Sequence, residues 1–187
     1  MGLPLVVAVS GASGVIYGVE LLKVLKDLGV STHLIISEAA ARNLAIETEY
    51  SLAQVKELAD EVHANDNIAA SVASGSFKTR GMIVAPCSIK TLSAIANSFN
   101  YNLLIRAADV TLKEKRPLVL MVRETPLHKG HLELMAKAAD LGALILPPVP
   151  AFYHRPKTIL DLVHQSIGKA LDHFSIGHEL YRRWSGE

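Results

Sequence analysis

The sequence predicts an α/β fold, a doubly wound parallel sheet with helices on both faces, in a single domain. Three observations predict it. Short apolar runs rich in β-branched residues recur without the alternation of a half-exposed strand, as expected for strands buried on both faces. Amphipathic stretches at helical spacing separate these runs. Most runs end in small or polar residues, and the carboxyl ends of strands are where such sheets gather ligands.

Taken in order, Leu5-Val6-Val7-Ala8-Val9 is the first strand, followed by the turn Ser10-Gly11-Ala12-Ser13-Gly14. Val15, Val19, Leu22, Leu25 and Leu28 then mark the apolar face of a helix. A second strand, Thr32 to Ile36, leads to Ser37 as the N-cap of a helix over residues 38–46. Glu47 to Tyr50 is a polar break, and Ser51 with Gln54 forms a capping box opening a helix that runs through Val62. Residues 63–80 read as a long connection. Met82 to Ala85 is the third strand, stopping at Pro86-Cys87-Ser88 before a helix carrying Ile89, Leu92 and Ile95. A helix over 103–115, a strand from Leu118 to Val122, a helix over 128–141 stopped by Gly142, and a last strand over 143–146 follow. Residues 157–174 form the final helix, and a short tail carries Trp184.

The totals narrow the function. A chain of 187 residues, read as one domain over 1–187, can bury a core without disulfides or metals. Nineteen Lys and Arg against eighteen Asp and Glu give no general attraction to nucleic acid or anionic membranes. Cys87 is the single cysteine, which excludes an intrachain disulfide and a multi-thiolate zinc site, and a reducing cytoplasm is the natural compartment. No apolar run approaches the length of a membrane span. Half of the residues are hydrophobic, which for this length favours surface buried between subunits.

Ser10 to Gly14, Ser37, Pro86 to Thr91, Arg123-Glu124 and the loop from Pro147 to Arg155 all fall at predicted strand carboxyl ends. Together they favour a ligand crevice, although caps alone would account for Ser37 and Ser88 taken singly. Gly11, Gly14 and Gly18 fall as GxxGxxxG, so neither the dinucleotide fingerprint nor a P-loop is present. A mononucleotide such as FMN remains open, its phosphate over Ser88 to Thr91 at a helix N-terminus. Arg106, Lys113, Arg123 and Lys169 are candidates for a cationic cluster holding a second phosphate, with solvated helix faces as the alternative for Lys113 and Lys169. Cys87 is read as an inert buried thiol. His128 and His131 fall at i, i+3 without a third ligand, so no metal site is expected.

The motifs SGASG from Ser10, ASGS from Ala73, PCSIKTLS from Pro86, RAADVTLKEKRPLVLMVRETPLH from Arg106 and PPVPAFYHRP from Pro147 resemble those of the UbiX-type flavin prenyltransferases, formerly described as decarboxylase subunits. The resemblance covers nearly the whole chain. It implies a three-layer Rossmann-like, flavodoxin-like flavoprotein domain with a C-terminal helical tail, assembled as a homo-oligomer, often a dodecamer, with FMN near subunit contacts. The implied reaction joins the dimethylallyl group of dimethylallyl phosphate to N5 and C6 of reduced FMN without a metal, and the prenylated FMN serves a UbiD-type decarboxylase.

Carried over by motif, the resemblance implies that Gly11, Ala12, Ser13, Ser37, Ser88, Ile89, Lys90, Thr91 and Arg123 hold FMN. Ser13, Glu47 and Glu124 are the catalytic candidates, Glu47 managing protons with Glu49 as its local competitor. Arg106, Lys113, Tyr153 and Lys169 surround the prenyl phosphate; position 169 is arginine in some members, and lysine lacks its bidentate fork. Trp184 matches a C-terminal aromatic near the site. Two other functions are weighed: an FMN-dependent decarboxylase of an aromatic acid or peptidyl cysteine, and a non-catalytic flavin carrier. A cysteine-oxidising relative would carry a catalytic histidine after the first helix and an Asn-rich third motif, and Pro86 to Thr91 has neither.

Overall fold

The computed structural model describes residues 2–186. Six strands form one sheet, β1 (Leu5–Val9), β2 (Thr32–Ile36), β3 (Glu61–His63), β4 (Gly81–Cys87), β5 (Leu118–Val122) and β6 (Ala143–Ile145), in the order β3-β2-β1-β4-β5-β6. Every pairing is parallel. Chain order reverses between β1 and β4, so the crevice beyond their carboxyl ends is the topological switch point where such sheets bind ligands.

Helices α1 (Ile16–Asp27), α2 (Glu38–Glu47), α3 (Leu52–Lys56), α4 (Ile89–Ala96), α5 (Leu103–Lys113), α6 (Lys129–Asp140) and α7 (Ile159–His173) flank the sheet. The period of two along β1 sends alternate side chains into two separate cores. Leu5, Val7 and Val9 pack with Leu22 and Leu25 of α1 and Ile167 and Leu171 of α7. Val6 and Ala8 join Leu92 and Ile95 of α4, Leu104 and Ala108 of α5 and Ala138 of α6. Three layers result, and the uninterrupted apolar runs of β1, β4 and β5 follow from burial on both faces. At Gly18 a Cβ would come within 2.5 Å of Ala85 O and 2.8 Å of Val9 Cγ2, so α1 can lie this close to the sheet only with glycine there.

Three expectations are corrected. The helix opened by the Ser51–Gln54 capping box ends at Lys56, and Val62 lies in β3. Asp60 turns the chain back: its Oδ2 accepts from Thr32 N–H at 2.8 Å, setting His33 opposite Glu61 and Ile35 opposite His63. The connection over 63–80 accordingly starts inside a strand and contains a 3-10 turn at Ser71–Ala73. The third predicted strand does not stop at Pro86; β4 continues through Cys87 with a register shift against β5 between Val84 and Cys87. Among the described residues no helix is long and apolar enough to cross a membrane.

Candidate functional site

The ends of β1 and β4 are tied by one buried serine. Ser10 Oγ donates to Pro86 O at 2.9 Å and accepts from Ser88 N–H at 2.8 Å. This fixes the first turn against the start of α4. Ser88 then caps α4, its Oγ accepting from Thr91 N–H at 3.3 Å and donating to Thr91 Oγ1 at 3.1 Å. Ile89 and Lys90, in the first turn of α4, have no carbonyl four residues back inside the helix, so their N–H groups are available to an anion.

These groups line a cleft of about 490 Å³ together with Gly11, Ser37, Arg42, Tyr101 and Glu124. Its size is that of a small-molecule site. Of the expected set, Gly11, Ser37, Ser88, Ile89, Lys90, Thr91 and Glu124 meet here. An adjoining hollow of about 760 Å³ shares Ser37, Asn65, Tyr101 and Asn102 and extends toward β3. The donor set suits a phosphate at the α4 end, and a cleft of this volume beside Gly11 can take a flat ring system: the residues fit FMN.

Helix α2 holds the first turn. A Cβ at Gly11 would stand 2.4 Å from Ala39 Cβ, Asn43 Nδ2 donates to Ala12 O at 3.1 Å, and Glu47 Oε2 accepts from Gly14 N–H at 2.8 Å and Val15 N–H at 3.1 Å. Positions 39, 43 and 47 are spaced i, i+4, i+8 and so share one face of the helix. The anion site at the start of α1 is thus filled by the protein's own carboxylate, and the start of α4 is the open one. Glu47, not Glu49, is the acid that reaches the turn. Ser13 sits inside this clamped segment with its side chain exposed.

Arg123 follows β5, its N–H donating to Cys87 O at 3.0 Å. Its charge reaches Tyr17 on α1: burial pushes that phenol above its ordinary value, against the opposing pull of the neighbouring Ser166 hydroxyl and the Arg123 guanidinium. Glu124 is exposed and turns its Oε1 onto Thr125 N–H at 3.0 Å. Cys87 is fully buried and burial pushes its thiol far up, which agrees with an inert role.

The expected cation cluster is not assembled by one chain. Arg106 is held near the start of α5, its Nε donating to Ala73 O at 3.2 Å and its Nη1 paired with Asp109 at 3.1 Å. Lys113 ends α5 and pairs with Glu114 at 3.3 Å. Because α5 runs back along the sheet, Lys113 stands where β5 begins, about 16 Å of helix from Asn102 and at the opposite end of that strand from Arg123. Lys169 is exposed on α7. Tyr153 lies in the Pro-rich loop and meets Trp184 of the tail edge-on, with ring centroids 6.1 Å apart.

The tail is anchored to α7 by Asp172, whose carboxylate accepts from Arg183 at 2.7 and 3.0 Å, Tyr181 Oη–H at 2.8 Å and His178 Nε2 at 3.1 Å. The Arg183 hydrogen bond, followed by that of Tyr181, outweighs partial burial and holds Asp172 at about 2; burial and the same carboxylate push Tyr181 up to about 12.

Sequence reasoning overlooked Ser10 as the β1–β4 tie, Asn43, and Asn65, whose Oδ1 and main-chain carbonyl accept from Leu104 and Leu103 N–H. A polar residue directly after a buried strand was the available signal for Ser10. For Asn43, it was the i, i+4 spacing to Glu47.

A switch-point cleft with a mononucleotide-sized cavity and a serine-capped helix N-terminus defines a flavoprotein-type nucleotide fold, and the family model described as Flavoprotein matches residues 2–168. The flavin prenyltransferase UbiX of Thauera aromatica is 59% identical over 182 residues, covering 97% of this chain and 94% of that protein. The structure of AnUbiX (PadA1) in complex with FMN and dimethylallyl pyrophosphate superposes with a TM-score of 0.98 at 46% identity, covering 100% of both chains. A dodecameric FMN-dependent UbiX-like decarboxylase from Escherichia coli O157:H7 gives 0.96 at 45% identity, covering 98% of this chain and 100% of that one. The chain belongs to the UbiX-type flavin prenyltransferase family.

Proposed function

We propose that this protein joins the dimethylallyl group of dimethylallyl phosphate to N5 and C6 of reduced FMN. The supporting observation is family membership over the whole chain together with a cleft whose donors match a flavin mononucleotide. Reduced FMN, when bound, supplies the nucleophilic atoms; the allylic C–O bond breaks and phosphate leaves. Ser37, Ser88, Ile89, Lys90, Thr91 and Arg123 bind and orient the flavin, with Gly11 and Ala12 admitting its ring beside Ser13.

Departure of the phosphate demands positive charge where negative charge develops. Arg106, Lys113, Arg123 and Lys169, with the Tyr153 hydroxyl, supply that environment, and Glu124 stands beside them as an acid/base. Since Lys113 and Arg123 of one chain lie at opposite ends of β5, neighbouring subunits complete the site. Exposed Ile46, Phe99, Val149, Phe152 and Ile159 support an oligomer, and a dodecamer is the assembly we assign. Glu47 Oε2 is engaged by two backbone donors, while its Oε1 has no hydrogen-bond partner among the described residues, so Oε1 is the atom that takes or returns a proton during ring closure. The product passes to a UbiD-type decarboxylase in the cytoplasm.

The test is anaerobic incubation with reduced FMN and dimethylallyl phosphate, followed by mass spectrometry of the flavin. A mass gain of one dimethylallyl group is expected. No adduct from FMN-loaded protein would sink the assignment, and carbon dioxide release from an added aromatic acid without adduct would favour a decarboxylase.

A further inference from the structure

Where the hollow beside the flavin cleft meets β3, the outer edge of the sheet gathers two imidazoles and a carboxylate. His33 on β2 is registered opposite Glu61 on β3, and His63 follows Glu61 by two residues. The strand period of two therefore puts all three side chains on one face of the sheet. His33 Nδ1 and His63 Nε2 are 2.9 Å apart, and Glu61 approaches His63 Nε2 at 3.6 Å and His33 Nε2 at 3.5 Å. One ligand atom from each can be chosen so that all lie within 4.8 Å of one another.

We propose that His33, Glu61 and His63 form a site for a divalent transition metal ion of the zinc class, separate from prenyl transfer. Two nitrogens on a tetrahedral zinc ion stand about 3.3 Å apart and nitrogen to carboxylate oxygen is similar, from bond lengths of about 2.0–2.2 Å. With His33 Nδ1 as the ligand, the two nitrogens at 2.9 Å and the Glu61–His63 pair at 3.6 Å lie within a few tenths of an ångström of that spacing, and a rotation of the Glu61 side chain, within the 4.8 Å span of the set, brings its carboxylate to the same His33 nitrogen. Two imidazoles and one carboxylate are a borderline donor set that suits zinc over calcium or magnesium. Both histidines are buried, and the Phe77 ring, 5.2 Å from that of His33, backs the site. The Glu61 side chain is 53% exposed, which gives an ion a path from solvent and leaves a fourth position for water.

The bound ion fastens β3, a strand of three residues with a single neighbour, to β2. An ion that binds only the folded chain raises its thermal midpoint by mass action.

The experiment uses untagged full-length protein stripped with EDTA and then freed of chelator. Zinc chloride is titrated by calorimetry, and cobalt(II) by its visible d–d absorption. One equivalent per chain is expected, with a higher thermal midpoint. His63→Ala should abolish that binding, and Glu61→Gln should weaken it at least tenfold, about the least that disturbing even an outer ligand partner costs. The His128→Ala/His131→Ala double variant should bind as the parent does, because those stacked rings are the competing histidine pair. No saturable binding, unchanged binding in Glu61→Gln, or loss in the His128/His131 variant overturns the proposal. Should His63→Ala not fold, Glu61→Gln decides alone, its carboxylate being at the surface.

Discussion

Glu47 reaches across from the end of α2 to receive the Gly14 N–H at 2.8 Å, thirty-three residues away in sequence. The same oxygen takes Val15 N–H, so a side chain that sequence places in a polar break closes the amino end of α1. One carboxylate oxygen holds two backbone donors, and the other has no hydrogen-bond partner among the described residues.

Glu47→Gln separates those duties. The amide oxygen can keep the two backbone donors, while the proton-accepting atom is lost. FMN affinity should change by less than about threefold, and ring closure should slow by about 10²–10⁴, the usual contribution of a positioned acid or base. Rapid-mixing absorbance with mass analysis reads both, and an unaltered closure rate removes Glu47 from proton transfer.

Ser10→Ala leaves Ser88 N–H without its acceptor at a site only 1% exposed, while Pro86 O keeps the backbone N–H of residue 10 at 3.2 Å. A loss of about 1–3 kcal/mol is expected from uncovering one buried polar group. FMN should also bind more weakly, because the β1–β4 tie sets the start of α4. Urea unfolding and flavin titration measure the two effects, and parental values in both would show that the tie is dispensable.

Lys113→Ala should raise the KM for dimethylallyl phosphate with little effect on FMN binding, and Arg123→Ala should impair both. Shared sites make a sharper prediction. Mixed oligomers of Lys113→Ala and Arg123→Ala chains should recover part of the lost activity, because some sites then receive both wild-type residues. Recovery absent from verified mixed assemblies would place both residues in a single chain's site.

The Asp172 clasp has a predictable pH window. A carboxyl held at about 2 against an ordinary 3.8 contributes stability present above the higher value and lost as pH falls through the lower. Tyr181, raised to about 12 from 10.0, contributes below the lower value and loses its part as pH rises toward the higher. Emission from Trp184, the one tryptophan, should therefore report an attached tail between about pH 4 and 10, with release toward either extreme. Asp172→Asn should shift that emission at neutral pH; a spectrum identical to the parent's would mean that Asp172 does not anchor the tail.

The strands buried on both faces could be read directly, because β1, β4 and β5 each state their environment in every residue. β3 could not. Glu61-Val62-His63 carries one apolar residue, and only pairing with β2 and the Asp60 link make it a strand. The same distinction holds at the site. Small residues at strand ends announced a crevice, and Ser88 announced its helix cap. The Ser10–Ser88 link and the Glu47–Gly14 bond join positions 78 and 33 residues apart, and no local pattern encodes them. Motif resemblance selected Glu47, and the geometry supplies the physical reason: Glu49 lies beyond the end of α2, off the stripe that carries Ala39 and Asn43.

That stripe makes the length of α2 a fixed quantity. Each residue added to or removed from a helix rotates everything beyond it by about 100°. A single insertion between Ala39 and Asn43 would swing both Asn43 and Glu47 off the turn at once, whereas a point substitution removes one contact. Descendants of this sequence can therefore vary the composition of α2's outer face freely, yet gain or lose residues only outside the Ala39 to Glu47 interval.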